Sequence, residues 1–558
     1  MSTSGSVDHE SVKDGSWDVL ITGGRVVDGT GNPWFHGDIA LAGDRIAAVG
    51  PAGSLDRASA TEVVEAAGMV VCPGFIDIQS HSIVPLMSDP RSIGKITQGV
   101  TTEIMGEHWT PAPFGGRIDA PLAPGLRRIL GDRFDEWDER ARGWSRFGDW
   151  LSDLEGRGVG VNVGSFIGGA TVREWGKGEA MGEPDPDEME AMRRCLADAM
   201  EDGAFGIATA LIYPPETYWT TADLVELCRV VARYDGVHVT HMRSEERRIL
   251  EALEETIEIA RDSGVMTEIY HLKAAGEANW PLMPRVISRI DAARAEGLDI
   301  TADMYPYEAS GTGLAIAMPP WASADGKLFD NLRDPATRAR VAEEIRHPTS
   351  DWENLAAVAG PENVLVCSLG HPDLVRYRGM RLAEVAAQRG TDWADAAIDL
   401  LATEGSNIFC MFFMMGEENL HLQIRQPWMK VSTDAGGPDP ERVRHLGLVH
   451  PRAYGTYTRV LGRFVREQGV IPLEDAVRKM SSAVADRLGL RDRGLLRTGM
   501  AADVVVFDPE TVTDHATPTD PHQLSTGIRD VWVSGGRVLA DGTPTGALPG
   551  QWVKPHGR

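Results

Sequence analysis

The sequence predicts an α/β protein: a (β/α)8 TIM barrel carrying a small β-sandwich domain formed from both termini. Three observations predict it. Short β-rich runs alternate with helical stretches over roughly 400 residues, which implies a parallel sheet, and at this length a closed barrel is favoured over an open one. Two Gly-Gly-Arg-Val segments, at 23–26 and 535–538, sit in strand-like surroundings at opposite ends of the chain. Nearly all of the internal β-like runs that matter here end in a His, an acid or a Tyr, which is how a barrel gathers a hydrolytic metal site.

The elements follow in order. The first ~15 residues read as a loose polar tail. Trp17 to Ile21 and Arg25 to Val27 read as strands around a Gly23-Gly24 turn; Asp38 to Leu41 and Arg45 to Val49 read as strands around Gly43-Asp44. Asp503 to Phe507 and Val531 to Val533 repeat that grammar, so 1–70 and 485–558 are assigned to the sandwich and 71–484 to the barrel. Barrel strands are expected at 69–78, 100–105, 160–167, 204–210, 236–241, 265–271, 298–304 and 428–433, with helices at 187–202, 221–234 and 245–263. In the last of these, Ile249, Leu250, Leu253, Ile257 and Ala260 keep a period close to 3.6. The stretch 310–405 breaks the rhythm and reads as an insertion partly covering the site. No G-x-G-x-x-G opens a helix after the first strand, so a dinucleotide site lacks support.

Composition narrows the function classes. The chain has 558 residues, 42% hydrophobic and 25% charged, ordinary for a soluble globular protein. A net charge of −27 argues against nucleic acid or an anionic membrane as the main partner. Five scattered cysteines with no C-x-x-C pair argue against a disulfide framework and suit a reducing cytoplasm. Met1 to Ser6 is polar and no stretch approaches about 18 uninterrupted apolar residues, so neither a signal peptide nor a membrane span is expected. The expected partner is a small molecule bearing a carboxylate or amide; a homo-oligomer stays open.

The candidate site residues lie where those strands end. Strand alternation puts Gln79 and His81 on one face. His241 and His271 each close a β-run, and Asp434 closes Met429-Lys430-Val431-Ser432-Thr433. Glu107 and His108 follow the second strand, and either completes the set. A lone His at a strand end is more often structural, but three of them with a terminal carboxylate point to a zinc-type site with an open position for water. Asp434 suits a carboxylate that takes a proton from metal-bound water and passes it to the leaving nitrogen; the bland alternative is a helix N-cap. His238 reads as a wall residue. Arg243, Lys273, Tyr213, Tyr305, Tyr307 and Arg452 cluster near the same ends, either as salt-bridged barrel plugs or as a pocket for a substrate carboxylate or carbonyl.

Several segments together carry a resemblance over roughly residues 17 to 550: Pro73-Gly74-Phe75-Ile76-Asp77, Thr97-Gln98-Gly99-Val100-Thr101-Thr102, Thr240-His241-Met242-Arg243-Ser244-Glu245, His271-Leu272-Lys273, Asp303-Met304-Tyr305-Pro306-Tyr307, His450-Pro451-Arg452-Ala453-Tyr454-Gly455 and Ala502-Asp503-Val504-Val505-Val506-Phe507. The chain resembles the amidohydrolase superfamily and, within it, the D-aminoacylase (N-acyl-D-amino-acid deacylase) family. The resemblance implies zinc-dependent hydrolysis of an amide C–N bond, with His241 and His271 on the tightly held zinc and Asp434 as acid–base. It also implies that Lys273, Tyr213, Tyr305 and Arg452 hold the substrate carboxylate. Two departures stand out. Gln79-Ser80-His81 replaces the family's His-x-His, and an amide is a poorer zinc ligand than imidazole. Glu107-His108-Trp109 replaces Asn-Cys-Gly, removing the bridging cysteine. Both predict one zinc per chain and a degraded second position. Trp109 and the run Met411 to Met415 suggest an apolar patch, though such a run is more often core. Rival readings are a cyclic amide, imide or ureide hydrolase on the same scaffold, and a non-catalytic binding protein.

Overall fold

A computed structural model describes residues 16–348 and 352–556; the expected N-terminal tail lies outside the described residues. Eight strands, among the described residues, make the barrel. Phe75–Asp77, Val100–Met105 and Asn162–Ser165 pair in parallel. Ile167–Gly168 continues the third strand and pairs with Gly206–Ala210, followed by Val237–His241, Met266–Ile269, Ile300–Met304 and Met429–Val431, all parallel. The ring closes where Ser80 bridges Ala435, with Asp434 N donating to Gln79 O at 2.9 Å and His81 N to Ala435 O at 3.2 Å. That seam carries function: the backbone that shuts the barrel also sets Gln79, His81 and Asp434 side by side.

The helices follow the expected pattern. Pro186–Asp202 begins with a capping box in which Asp185 and Glu188 satisfy each other's backbone N–H groups. Thr221–Ala232 is capped likewise by Thr220 and Asp223. Ile249–Ser263 buries Ile249, Leu253, Ile257 and Ala260 against the barrel. It starts later than the expected 245, because Met242 to Arg248 stays non-helical at the barrel mouth.

Strands from both termini share one nine-stranded sheet: Val504–Phe507 pairs antiparallel with Val70–Pro73, which lies beside Trp17–Val26. Here the structure corrects the sequence reading. Trp17–Val26 is one strand, not two around a turn. Gly23, at φ +74°, forms a bulge pinned by Asp38, whose Oδ1 accepts from Thr22 Oγ1 and Gly23 N, both at 2.9 Å.

Between the last two barrel strands, Ala309–Gly313, Phe409–Phe413 and Val364–Val366 build a separate antiparallel sheet. With helices Pro335–Arg346, Leu382–Arg389 and Trp393–Glu404 it encloses its own apolar core. The insertion expected over 310–405 therefore stops short of its last strand, which pairs back to Ala309. The Met411 to Met415 run is mostly core: Met411 and Phe412 are fully buried. All five cysteines are buried and free. No helix among the described residues is long and apolar enough to cross a membrane.

Candidate active site

The C-terminal ends of the strands deliver the chemistry. Gly106, at φ +106°, turns the chain after the second strand; a Cβ there would lie 2.1 Å from Phe166 O, so no side chain fits. The turn drives Glu107 inward. Its Oε1 lies 3.7 Å from both His241 Nδ1 and His271 Nε2, and its Oε2 lies 3.3 Å from His81 Nε2. Two trios result, each with its ligand atoms within 4.8 Å of one another: Glu107, His241, His271 and His81, Glu107, Asp434. Glu107 belongs to both, one oxygen facing each.

His108 turns the other way. Its Nδ1 meets buried Glu216 at 2.6 Å, and Glu216 also accepts from Ala210 N. Of the two alternatives left open by the sequence, Glu107 is the one brought to the histidines. Gln79 lies between the two acids, its amide nitrogen donating to Glu107 Oε2 at 2.6 Å and Asp434 Oδ1 at 3.2 Å. In that orientation it offers the centre no lone pair.

Asp434 is buried and clasped on both oxygens: His81 Nε2 at 2.9 Å from Oδ1 and Arg452 Nη1 at 2.7 Å from Oδ2. Burial works against its charge, but the Arg452 guanidinium and the nearby imidazoles hold its carboxyl below the ordinary value. Burial likewise opposes charge on Glu107, where hydrogen bonds from His241, His271 and His81 win and lower it well below the usual range. His81 pays the same desolvation cost, yet Asp434 and Glu107 raise it to about 10. His241 is raised to about 9 by Glu245 and Glu107 against burial.

Glu245 is the functional residue that the sequence reading left inside a motif without a role. Buried, it lies 3.4 Å from His241 Nε2 and 3.1 Å from His271 Nδ1, on the sides of both rings turned away from Glu107. Carboxylates behind metal-binding imidazoles fix ring orientation and raise ligand basicity. Its placement four residues after a strand-ending His was the available signal. Lys273 Nζ pairs with Glu245 Oε1 at 2.6 Å and lies 2.6 Å from His271 Nδ1.

Three site residues hold left-handed backbone: His108 (φ +65°), His271 (φ +32°) and Asp434 (φ +47°). Such conformations are uncommon outside glycine and cluster where side chains must be aimed. Tyr305 stacks under Arg452, 4.6 Å from its guanidinium carbon, and its buried hydroxyl has no hydrogen-bond partner. Tyr213 OH bonds Thr312 Oγ1 of the insertion. Tyr307 points away, to Asp514 and Arg459. Arg243 lines the cavity but is already engaged: it grips Glu255 at 2.9 Å and the carbonyls of Thr217 and Trp219, which braces a loop. His238 is fully buried beside Thr209 and does not face the site.

The donor set fits a zinc-type ion. Ligand atoms ~2.0–2.1 Å from a tetrahedral ion lie about 3.4 Å apart, and Glu107 Oε1 stands 3.7 Å from each histidine nitrogen. The centre opens on a cavity of about 1530 Å³ between the barrel mouth and the insertion.

A parallel eight-stranded barrel, a sandwich from both termini and a strand-end cluster of histidines and carboxylates define a metal-dependent amidohydrolase acting on C–N bonds other than peptide bonds. Comparison with known proteins agrees. Residues 448–539 match the model of the amidohydrolase family. A D-aminoacylase from Alcaligenes xylosoxydans xylosoxydans is 33% identical over 535 residues, spanning 96% of this chain and 97% of that one. Among solved structures, a D-aminoacylase studied for its binuclear metal centre, with one-metal activation and second-metal attenuation, is 33% identical. It superposes with a TM-score of 0.79 over 96% of this chain and all of that one. N-acyl-D-glutamate deacylase from Bordetella bronchiseptica, complexed with zinc and a phosphonate mimic of the tetrahedral intermediate, is 30% identical with a TM-score of 0.79 over 97% of this chain. The chain belongs to the D-aminoacylase family.

Proposed function

We propose that the protein is a zinc-dependent hydrolase of linear N-acyl amino acids, of the D-series by its relatives, with one tightly held ion. The carrying observation is the trio Glu107, His241 and His271 set beside a buried, ionised Asp434. Those three residues would hold the ion, and Glu245 would fix both imidazoles from behind. A zinc ion there would polarise the scissile carbonyl and acidify water.

The remaining work falls to the chain's own residues. Asp434, kept ionised by Arg452 and His81, is placed to accept a proton from the attacking water and return it to the leaving nitrogen. Arg452, Tyr305 and Lys273 lie on the cavity wall around it, and the unpartnered Tyr305 hydroxyl suits a substrate carboxylate. Gln79 in place of a histidine leaves His81, Glu107 and Asp434 as a weaker second group, consistent with one strongly bound ion.

Metal content per chain, measured by elemental analysis on protein purified without chelator, tests the reading together with a substrate panel. About one zinc and turnover of N-acyl-D-amino acids supports it. Turnover of cyclic imides or ureides alone transfers the scaffold to ring opening and rejects the linear substrate. No metal, and no rescue on adding zinc, removes the catalytic mechanism.

A further inference from the structure

Resting on that hydrolase reading, we infer that the natural substrate carries a long uncharged apolar group and no second carboxylate. Much of the cavity lining is apolar: Val84, Leu448 and Val449 line it, together with Ile316, Met318 and Trp321 from the insertion. The outer rim continues the apolar surface: Ile129 and Met181, two of the few large hydrophobic side chains that are substantially exposed, both line the cavity. Its volume of about 1530 Å³ exceeds the ~300–1,000 Å³ usual for a drug-sized ligand. An N-acetyl amino acid with a small side chain would leave most of it filled with water.

The charges point the same way. The long cations that line the cavity already have acids: Arg128 with Glu404 at 3.0 Å, Arg243 with Glu255 at 2.9 Å, Lys273 with Glu245 at 2.6 Å, Arg247 with Glu246 at 3.6 Å and Arg248 with Glu251 at 2.6 Å. Arg452, on Asp434, is reserved by the mechanism for the α-carboxylate. Glu174 and Glu179, by contrast, line the cavity with no ion pair among the described residues. Burial raises the pKa of each; neighbouring acids add to the rise, Glu179 at Glu174 and Asp119 at Glu179, while His108 opposes it at both. An acidic side chain or a dicarboxylic acyl group would meet these two buried acids, and the nearby His108 is already held by Glu216, so a further negative charge there is disfavoured. An alkyl or aryl group meets apolar lining instead.

The experiment is a matrix of kcat/KM values on the zinc-loaded enzyme. One axis lengthens the acyl group on D-alanine from acetyl through butanoyl to octanoyl. The other keeps acetyl and changes the amino acid from D-alanine to D-phenylalanine, D-methionine, D-aspartate and D-glutamate. The expected result is a rise of about tenfold or more along one apolar axis, since each buried methylene adds to transition-state binding. N-acetyl-D-aspartate and N-acetyl-D-glutamate should be the poorest members. Which axis rises tells whether acyl chain or side chain occupies the cavity. Met181→Asp should shrink that rise, and Glu174→Gln with Glu179→Gln should improve the acidic substrates relative to N-acetyl-D-alanine. A flat response to length and side chain, or preference for the acidic substrates, overturns this inference and leaves the hydrolase reading standing. Cleavage of none of the panel overturns both.

Discussion

Asp434 and Glu107 are separable by experiment because they sit in one cluster with different jobs. Asp434→Asn keeps shape but removes the proton acceptor; kcat should fall about 10³-fold or more while bound metal is unchanged. Turnover within about threefold of wild type would remove Asp434 from the acid–base role. Glu107→Ala should instead lose the metal, since Glu107 faces both histidine nitrogens at 3.7 Å, whereas His108→Ala should keep it, because His108 is turned to Glu216. Equal metal content in the two variants would overturn that distinction. At this scale the sequence showed which residue types end strands, because strand-end placement follows from local alternation. It left open which of Glu107 and His108 turns inward. That depends on the positive φ of Gly106 and on Glu216, which lies 108 residues away from His108. Glu245 escaped notice, and the bracing contacts of Arg243 were invisible, for the same reason. The long-range partners His271 and Glu255 decide their roles, and neither pairing has a local signature.

Among the elements, the insertion is coupled to the metal cluster through one carboxylate. Glu353 Oε2 accepts from Glu245 N at 2.9 Å, gripping the turn whose side chain lies behind both imidazoles. Glu353 Oε1 is buried without a partner. Burial, then the Glu245 charge, raises the Glu353 carboxyl from 4.5 to about 7. The folded protein thus keeps a proton that the unfolded chain releases. The stability from this group is whole below about pH 4.5 and is lost as pH rises through about 7. Glu353→Gln mimics the protonated form and keeps an acceptor for Glu245 N–H. The variant should melt above wild type at pH 8 and close to it at pH 5, by calorimetry. An equal offset at both pH values would mean that the carboxyl does not titrate in this window. The sequence marked the insertion by its broken rhythm, and its helices by ordinary periodicity. It could not place the last strand, Phe409–Phe413, because an antiparallel pairing across about a hundred residues leaves no mark in local composition.

For the whole molecule, the sandwich and barrel are joined by a buried polar knot. Asp503, just before the strand Val504–Phe507, accepts from Asn162 of the third barrel strand at 3.1 Å, from Ser534 N at 2.8 Å and from Arg493 Nη1 at 2.7 Å. Asp503 and Arg493 are both almost fully buried, so the pair has excluded its water. The Gly-Gly-Arg-Val repeats announced that the termini meet, one ending the strand Trp17–Val26 and the other opening the strand Gly536–Ala540 of the same sheet. They said nothing about how that sheet is fastened to the barrel, because the fastening is made by Asn162 in the middle of the chain. Removing one partner of such a pair costs up to about 3–5 kcal/mol where it leaves a buried charge uncompensated, less here because Arg493 Nε also meets Asp492 at 3.2 Å, whereas replacing both by apolar groups costs less still. Asp503→Ala should therefore lower the unfolding temperature markedly. Adding Arg493→Met should recover part of the loss, a non-additivity expected of residues in direct contact. The metal cluster lies at the other ends of the strands, so the fraction of either variant that remains folded should keep wild-type kcat and metal content. Additive losses in the double variant would show that the pair is not coupled, and the fastening to the barrel would then rest on other contacts, such as Ser534 Oγ to Asn162 Oδ1 at 2.9 Å and Val163 N to Gln551 O at 2.9 Å.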